Sequence, residues 1–278
     1  MKVFIFGSRG MLGHVMSDYF MSKTNYDVFT SSRMNENRQN HYPLDVLDTV
    51  KVYQALDEAK PQVIINCVGI LNKHADEKFI EAFEVNGVFP HRLAKWADAH
   101  QAKVIQISTD CVFDGKKGNY TETDKPNGTS SYALSKRLGE LINTRHITIR
   151  TSIIGPELKQ NGIGLFEWFM RQTGVVYGYK NARWNGITTL QLAKVTHALI
   201  ESNLSGLFHI TAPTSISKYE LLKLFQSVFQ KHDVTIIPSD EPVIDRTLKN
   251  TRTDFLYEIP DYKTMLIEMK EWMDRGGK

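Results

Sequence analysis

Gly7-Ser8-Arg9-Gly10-Met11-Leu12-Gly13 directly follows the apolar run Val3–Phe6, and this stretch decides how the chain folds. Three glycines at this spacing permit a tight turn, a close approach of the backbone to a ligand and close packing of the next helix. Free N–H groups at the start of that helix can hold a diphosphate. The spacing G-x-x-G-x-x-G is a variant of the dinucleotide-binding fingerprint. The turn therefore predicts a dinucleotide site, with an ordinary glycine-rich turn as the alternative.

Further apolar runs of strand length alternate with amphipathic segments along the first half of the chain. These runs are Tyr26–Thr30, Gln62–Asn66, Lys103–Ser108 and Ile147–Arg150. Such alternation is typical of βαβ units with right-handed crossovers. We therefore predict an α/β fold, a Rossmann doubly wound parallel sheet with its ligand crevice at the carboxyl ends of the strands.

The pattern becomes less regular after Arg150. We predict a strand at Gly206–Thr211 and helices at Leu165–Gln172, Leu190–Ser202, Ser217–Lys231 and Tyr262–Arg275. Residues 1–155 then form the cofactor-binding domain, with about 186–210 returning to it. Residues 156–278 form mainly a smaller substrate-binding lobe.

The end of the second strand predicts which dinucleotide is bound. It reads Phe29-Thr30-Ser31-Ser32-Arg33, without the acid that an NAD site usually places on the adenosine ribose. Arginines suit a 2′-phosphate, and Arg9 and Arg33 are the candidates, unless both simply face solvent. We therefore predict NADP(H) as the cofactor.

Other residues complete the predicted cofactor site. Asp45 is placed to accept the adenine amino group, although a helix N-cap is an equally good interpretation. Asn86 is also assigned here, but a buried amide that joins two backbone segments is the favoured role. The full predicted set is Gly7, Ser8, Arg9, Gly10, Met11, Leu12, Gly13, Ser31, Ser32, Arg33, Asp45, Val46, Cys67, Val68, Gly69, Asn86, Tyr132 and Lys136.

The chemistry is predicted at Tyr132 and Lys136, which lie one helical turn apart and so share a helix face. A nearby ammonium favours the phenolate and brings the pKa of a tyrosine closer to neutral pH. Thr109, at the end of an upstream strand, is the predicted hydroxyl donor to a carbonyl oxygen, with Ser108 as the alternative. If the strand alternates strictly, one of these two hydroxyls faces the crevice and the other faces the covering layer.

Taken together, these residues resemble the extended short-chain dehydrogenase/reductase superfamily and, within it, the dTDP-4-dehydrorhamnose reductase family. The resemblance is carried by Gly7–Gly13, Asn66–Gly69, Val85-Asn86, Ser108–Gly115, Glu122-Thr-Asp124 and Tyr132–Lys136. It implies NADPH-dependent reduction of a 4-keto (dehydro) group on a nucleotide-activated deoxysugar, for cell-surface polysaccharide biosynthesis. In that scheme Tyr132 is the acid, Lys136 its pKa tuner and ribose ligand, and Thr109 the hydroxyl partner.

The chain departs from the family pattern at positions that face or adjoin the sugar, namely Met11, Ile70–Ala75 and Gly186-Ile-Thr188. The predicted substrate contacts are Asn72, Cys111, Val112, Phe113, Asn185 and Arg246. A substrate diphosphate requires cations, and Arg246 is the first choice among Lys180, Arg183, Lys249 and Arg252.

Two other functions remain open. The same family includes an NADP-binding regulatory subunit of methionine adenosyltransferase, and the superfamily includes nucleotide-sugar epimerases. The intact Tyr132, Lys136 and Thr109 weigh against the first. An epimerase needs tightly held NAD, and the missing acid after Phe29 weighs against the second.

The composition of the chain limits the kinds of partner that we expect it to bind. With 34 basic and 31 acidic residues and no block of like charge, the chain shows no sign of binding nucleic acid or a membrane. The glycine turn begins too early for a secretory signal, which predicts a cytoplasmic protein. Cys67 and Cys111 lack metal-ligand or redox spacing, so no metal is expected. A homodimer is left open.

Overall fold

The computed structural model describes residues 1–142, 144–159 and 162–276, and the side chain of residue 73 lies outside the description. Its strands are β1 Lys2–Phe6, β2 Asp27–Ser32, β3 His41–Pro43, β4 Val63–Asn66, β5 Lys103–Thr109, β6 Ile147–Thr151, β7 Ile153–Ile154, β8 Gly174–Tyr179, β9 Ala182–Trp184, β10 Ile187–Thr188, β11 Gly206–His209, β12 Ile216–Ser217, β13 Val234–Ser239 and β14 Ile244–Asp245.

The α-helices are α1 Met11–Lys23, α2 Thr49–Ala59, α3 Asn72–Glu77, α4 Phe79–Ala82, α5 Phe89–Ala99, α6 Ser131–Leu138, α7 Leu165–Met170, α8 Thr189–Glu201, α9 Lys218–Val228 and α10 Tyr262–Asp274. A π-helical segment, Phe83–Val88, joins α4 to α5, and a 3-10 turn, Asp110–Val112, follows β5.

Seven parallel strands form the main sheet in the order β11-β6-β5-β4-β1-β2-β3. This confirms the Rossmann-type α/β fold. The strand order reverses beside β1, where β4 lies on one side and β2 on the other, and ligands bind at such switch points. The short edge strand β3 was not predicted, because three residues ending in Pro43 carry no strand pattern.

Strand β1 shows why its sequence is almost continuously apolar. Val3 and Ile5 face a core shared with α1 and α8, whereas Phe4 and Phe6 face a core shared with α2 and α5. Because both faces of the sheet are covered, the side chains that point to either face are buried, and every one of these positions favours an apolar residue.

The segment that we call the smaller lobe contains short sheets and three helices. Strands β8 and β13 pair in parallel, β9 pairs with β12 and β14, and α7, α9 and α10 pack on them. The predicted strand at Gly206–Thr211 is seen as β11, which joins the main sheet beside β6. The proposed boundary at residue 155 stays a prediction.

Candidate active site

The glycine turn between β1 and α1 needs glycine at two of its three positions. Gly7 has a φ of +84°, in the left-handed region that side chains disfavour. A Cβ on Gly13 would lie 2.0 Å from the carbonyl oxygen of Gly7. The turn is tied to β2, because the N–H groups of Gly7 and Ser8 both donate to the Ser31 carbonyl at 3.0 Å.

The start of α1 has the properties of an anion site. Gly10 is the N-cap and provides no side-chain cap, and the first turn of the helix carries no acidic residue. Helix N–H groups without internal partners point out of this end and give it a partial positive charge. A dinucleotide diphosphate therefore fits against the backbone of Met11, Leu12 and Gly13. The Leu12 side chain itself is buried in the core.

The adenosine end of this site differs from the expectation that no acid is present. Arg33 is exposed and Arg9 half-buried. Glu36, however, folds back from the loop after β2, and its carboxylate lies 3.4 Å from the hydroxyls of Ser8 and Ser32. Both hydroxyls have shorter hydrogen bonds to backbone carbonyls, at 3.1 and 2.8 Å. The sequence argument looked at the strand end itself, and the acid arrives four residues later. The missing acid after Phe29 therefore no longer argues against an epimerase that uses NAD.

Asp45 does not cap α2. Its carboxylate accepts a hydrogen bond from the N–H of Leu47 at 3.0 Å, and the N-cap is Asp48, which accepts from Lys51 at 3.1 Å. Asp45 stays exposed, and its contact with the adenine amino group stays a prediction. The Val46 side chain is buried in the core with α2 and α5.

The side-chain amide of Asn66 holds the rim of the crevice directly after β4. Asn66 donates to Gln106 on β5 at 2.7 Å and accepts from the Val68 N–H at 3.1 Å, which fixes the turn that contains Cys67 and Val68. Gly69 is exposed.

Asn86 has the structural role that the sequence favoured. It accepts from the Ile70 N–H and donates to the Ile70 carbonyl, both at 2.9 Å, and donates to the Ser135 hydroxyl at 3.0 Å. The residue is fully buried in the π-helical segment. It therefore ties the rim after β4 to helix α6, the helix that carries Tyr132.

Helix α6 presents Tyr132 and Lys136 to the end of β5. Ser130 is its N-cap, accepting a hydrogen bond from the Ala133 N–H at 3.1 Å, so Tyr132 lies in the first turn. The Lys136 amine donates to the carbonyl of Ile107 at 2.6 Å. Tyr132 packs with Ala75 and Ala82, and Cys111 packs against the same cluster.

Thr109 and Ser108 point to opposite sides of β5, as strict alternation requires. The Ser108 hydroxyl donates to Glu140 at 2.7 Å, and Glu140 forms a buried ion pair with Arg150, also at 2.7 Å. Ser108 therefore faces the covering layer, which favours Thr109 as the donor, and the choice between the two hydroxyls stays a prediction. Thr109 lies on the Tyr132 side, where the Thr109 hydroxyl contacts the phenol and lowers the pKa of Tyr132.

The pKa values at this site are set mainly by burial. Burial raises the pKa of Tyr132, and the neighbouring Cys111 and Asp110 raise it further. Burial lowers the pKa of Lys136 to about 8, partly opposed by Glu140 and Cys67. The sequence predicted that Lys136 lowers the pKa of Tyr132, whereas burial raises it. The phenol keeps its proton at neutral pH.

Three of the predicted substrate contacts are internal. Val112 and Phe113 are buried, and Phe113 stacks on Tyr120 with ring centroids 4.1 Å apart. The side-chain amide of Asn185 donates to the Leu248 carbonyl at 2.6 Å and accepts from the Leu248 N–H at 3.0 Å. The contacts of these three side chains are therefore with other parts of the protein. Asn72, by contrast, is exposed at the start of α3 with a φ of +42°.

Arg246 reaches the predicted site. Its Nε donates to the Phe113 carbonyl at 3.0 Å, and its Nη1 lies 3.9 Å from the Cys111 sulfur. Both it and Lys218 act electrostatically on the buried Asp110, whose pKa burial raises and these cations lower. Arg246 therefore brings a cation from the smaller lobe to the end of β5.

Sequence reasoning missed Lys218, the first residue of α9. Its amine lies 4.6 Å from the centroid of the Trp184 ring, and burial lowers its pKa to about 8, opposed by Asp110 and Cys111. The one signal in the sequence was its place next to the N-cap Ser217, and a helix start does not reveal which side chain faces a site.

The remaining predicted cations have other contacts or face solvent. Lys180 pairs with Asp240 at 2.7 Å, and Arg183 lies 3.7 Å from Glu220. Arg252 binds Asp254 and covers the Phe208 ring at 4.1 Å. Lys249 is exposed. Across 1–142, 144–159 and 162–276, no group of three or more His, Cys, Asp or Glu side chains is placed to hold a metal ion.

The fold, the glycine turn and the residues at the end of β5 define a Rossmann-type α/β protein with a dinucleotide site. The chain matches the model of the RmlD substrate binding domain family over residues 1–273 and belongs to that family. No helix in the described part of the chain is long and apolar enough to cross a membrane.

Three similar proteins are informative. The dTDP-4-dehydrorhamnose reductase of Aggregatibacter actinomycetemcomitans is 26% identical over 276 residues, covering 95% of this chain and 87% of that protein. The methionine adenosyltransferase 2 subunit beta of Danio rerio is 27% identical over 254 residues, covering 86% and 77%. The crystal structure of the Bacillus anthracis dTDP-4-dehydrorhamnose reductase in complex with NADP has a TM-score of 0.82 at 21% identity, covering 97% of this chain and 98% of that one.

Proposed function

We propose that this protein is an NADPH-dependent reductase that converts a keto group on a nucleotide-activated deoxysugar to an alcohol. The observation that carries the proposal is the meeting of Tyr132, Thr109 and Lys136 at the carboxyl end of β5, in the same sheet as the glycine turn after β1. The likeness to dTDP-4-dehydrorhamnose reductases supports it.

The residues divide the chemistry among them. Reducing a ketone requires a hydride, which NADPH supplies when bound, and a proton on the oxygen, which the protein must supply. Because burial raises the pKa of Tyr132, its phenol is protonated at neutral pH and can serve as the acid. Thr109 donates a second hydrogen bond to the oxygen that gains charge.

Lys136 and the glycine turn hold the cofactor in this scheme. The backbone at Met11–Gly13 holds the diphosphate, and Arg9 and Arg33 attract a 2′-phosphate. We assign the nicotinamide ribose to the Lys136 amine, which donates a hydrogen bond to the Ile107 carbonyl and belongs to the same helix as Tyr132, one turn further on.

The substrate diphosphate is assigned to the smaller lobe. Arg246 and Lys218 are the cations that lie near Asp110 and Cys111 at the end of β5. A diphosphate bound between them would place the attached sugar towards Tyr132. A dTDP-linked 4-keto-6-deoxy sugar is the first substrate to test, because similar proteins carry that activity in their names.

The test is a spectrophotometric assay of NADPH oxidation with nucleotide-linked 4-keto-6-deoxy sugars that differ in their base. Turnover that depends on the ketosugar is the expected result. Binding of NADPH with no turnover of any ketosugar in the panel would contradict the proposal.

A regulatory subunit is the second candidate, favoured by the 27% identity to a methionine adenosyltransferase beta subunit. It predicts NADP binding without reduction and a changed activity of a partner synthetase. A cytoplasmic location, a homodimer and a role in polysaccharide biosynthesis stay predictions.

A further inference from the structure

A row of buried polar side chains crosses three neighbouring strands of the main sheet. Ser108 on β5 lies in register with Arg150 on β6, and Arg150 lies in register with His209 on β11. All three side chains are buried, and the guanidinium of Arg150 lies 3.4 Å from the His209 ring. Buried polar and charged groups cost free energy unless they are paired. The row therefore requires a partner for the charge of Arg150.

Glu140, which follows the last turn of α6, is that partner. Its fully buried carboxylate accepts hydrogen bonds from Nε and Nη2 of Arg150 at 2.7 and 2.8 Å, and from the Ser108 hydroxyl at 2.7 Å. Hydrogen bonds to the charged form of a carboxylate favour its ionisation. The negative charge of Glu140 is therefore fixed in position and is kept near neutral pH.

His209 holds the other side of Arg150 without sharing its charge. Nδ1 of His209 lies 3.0 Å from the carbonyl of Tyr120, and a carbonyl only accepts, so Nδ1 carries the proton. Burial lowers the pKa of His209, which Glu122 opposes and Arg150 reinforces. The ring is therefore neutral near neutral pH, and its Nε2 faces the Arg150 guanidinium as an acceptor.

The buried amine of Lys136 lies on the same stretch of β5. It donates to the carbonyl of Ile107 at 2.6 Å, and Glu140 accepts from the hydroxyl of the next residue, Ser108. Lys136 and Glu140 are also about one helical turn apart along the chain. The hydrogen bond of the amine thus goes to a neutral carbonyl, and the nearby charge is the carboxylate of Glu140.

The titratable groups around Lys136 leave this charge without a competitor. Burial lowers the pKa of Lys136 to about 8, which Glu140 and then Cys67 oppose. Burial raises the pKa of the Cys67 thiol to about 12, so this group is neutral near neutral pH. Tyr132, one turn earlier on α6, keeps its proton because burial raises its pKa as well. Of these groups, Glu140 is the one that is charged.

We propose that Glu140 is a positioning residue, whose buried charge, held by Arg150 and Ser108, keeps Lys136 in the ammonium form that binds the nicotinamide ribose. This inference rests on the proposed cofactor site and deepens it. An ammonium makes stronger hydrogen bonds to ribose hydroxyls than a neutral amine does. The polar row behind β5 therefore supports cofactor binding from within the covered face of the sheet.

Titration calorimetry of NADPH binding to the purified chain, from about pH 6.5 to about pH 9.5, tests the inference without requiring turnover. Glu140→Gln removes the charge and keeps the shape, whereas Glu140→Asp keeps the charge and changes the shape. The matched control is Glu268→Gln, because Glu268 on α10 pairs with Lys194 on α8 at 2.9 Å. Melting temperatures check that each variant folds.

A second variant covers the case in which Glu140→Gln does not fold. Glutamine leaves the buried Arg150 without its counter-charge, which is strongly destabilising. The double variant Glu140→Gln with Arg150→Met removes the whole ion pair, and such replacements are often neutral for stability. It also removes the charge that the inference assigns to Lys136, so the same measurement applies to it.

In the wild type, the Kd for NADPH should rise above about pH 8, as Lys136 loses its proton. In Glu140→Gln and in the double variant, this rise should begin about one pH unit lower. Binding at pH 8 should then be about fivefold weaker than in the wild type, and nearly equal at about pH 6.5. Glu140→Asp and Glu268→Gln should keep the pH dependence of the wild type.

Weakening by the same factor at every pH in Glu140→Gln would show a purely structural role and overturn the inference, as would an unshifted rise. A wild-type Kd that stays constant from about pH 7 to about pH 9.5 would also overturn it, while turnover of a ketosugar would still support the proposed reductase. A shifted pH dependence without turnover of any ketosugar would support the inference and contradict the reductase.

Discussion

The two sides of the proposed active site are built differently. On the sheet side, Lys136 donates to a strand carbonyl, Ser108 is anchored to the Glu140–Arg150 ion pair, and Tyr132 is packed among apolar side chains. On the lobe side, Arg246 touches a carbonyl and a sulfur, and Lys218 lies over an aromatic ring.

This difference separates two tasks. A buried network that spans β5, β6 and α6 holds its members in fixed positions, which proton transfer requires. Arg246 and Lys218 both act electrostatically on the buried Asp110, but neither forms a short ion pair among the described residues, so we assign an anionic substrate group to them. We infer that the sheet side sets the reaction and the lobe side sets the substrate.

Replacing Tyr132 should give the largest effect. Tyr132→Phe keeps the ring packing but removes the acid, so kcat should fall by about 10²–10⁴ while the Kd for NADPH stays within about twofold. Tyr53→Phe, on α2 away from the site, is the control. Undiminished reduction of the ketosugar by Tyr132→Phe would mean that the sheet side does not supply the proton.

The buried Lys136 should make stability depend on pH. Its pKa is lowered to about 8 from 10.5, so the folded state holds the proton less tightly than the unfolded state. The cost of burying the ammonium is fully present below pH 8 and disappears as the pH rises through about 10.5.

Wild type should therefore gain about 2 kcal/mol of unfolding free energy relative to Lys136→Met between pH 7.5 and pH 9.5. Urea denaturation of both proteins measures the difference, and contributions from other groups cancel between them. A constant difference would show that the amine is not buried in solution.

Replacing Thr109 should change mainly kcat, whereas replacing its neighbour Ser108 should change mainly the stability of the protein. Thr109→Val removes a donor facing Tyr132 and should lower kcat about tenfold, less than Tyr132→Phe. Ser108→Ala removes a bond to Glu140, which keeps Arg150, so we expect a loss of about 1 kcal/mol in stability and little change in kcat. Steady-state kinetics together with thermal melting tests both, and the reverse pattern would contradict the observed orientation.

The smallest effect is expected on the lobe side. Arg246→Ala and Lys218→Met should each raise KM for the nucleotide sugar about three- to tenfold and leave kcat within about twofold, because they bind the diphosphate equally in ground and transition states. Lys180→Met is the control, since that lysine pairs with Asp240. A fall in kcat without a change in KM would assign these cations to the reaction itself.

The sequence predicted much of the sheet side because its information is local. An apolar run, a glycine turn and a Tyr–Lys pair one helical turn apart each depend on neighbours within a few residues. The five main strands, the start of α6 and the role of Asn86 followed from such patterns, and the structure contains them.

The tertiary structure alone decided which polar groups face the site. Ser108 and Thr109 are adjacent in sequence, and the pleat together with Glu140, 32 residues away, assigns them to different layers. Glu36 meets Ser8 across 28 residues, and Arg246 meets Phe113 across 133. No local pattern encodes such contacts, because they form only when packing brings distant segments together. The sequence by itself thus determined the sheet and the motifs of the proposed chemistry, and the packing of distant segments decided which charged groups lie near the proposed cofactor and substrate positions.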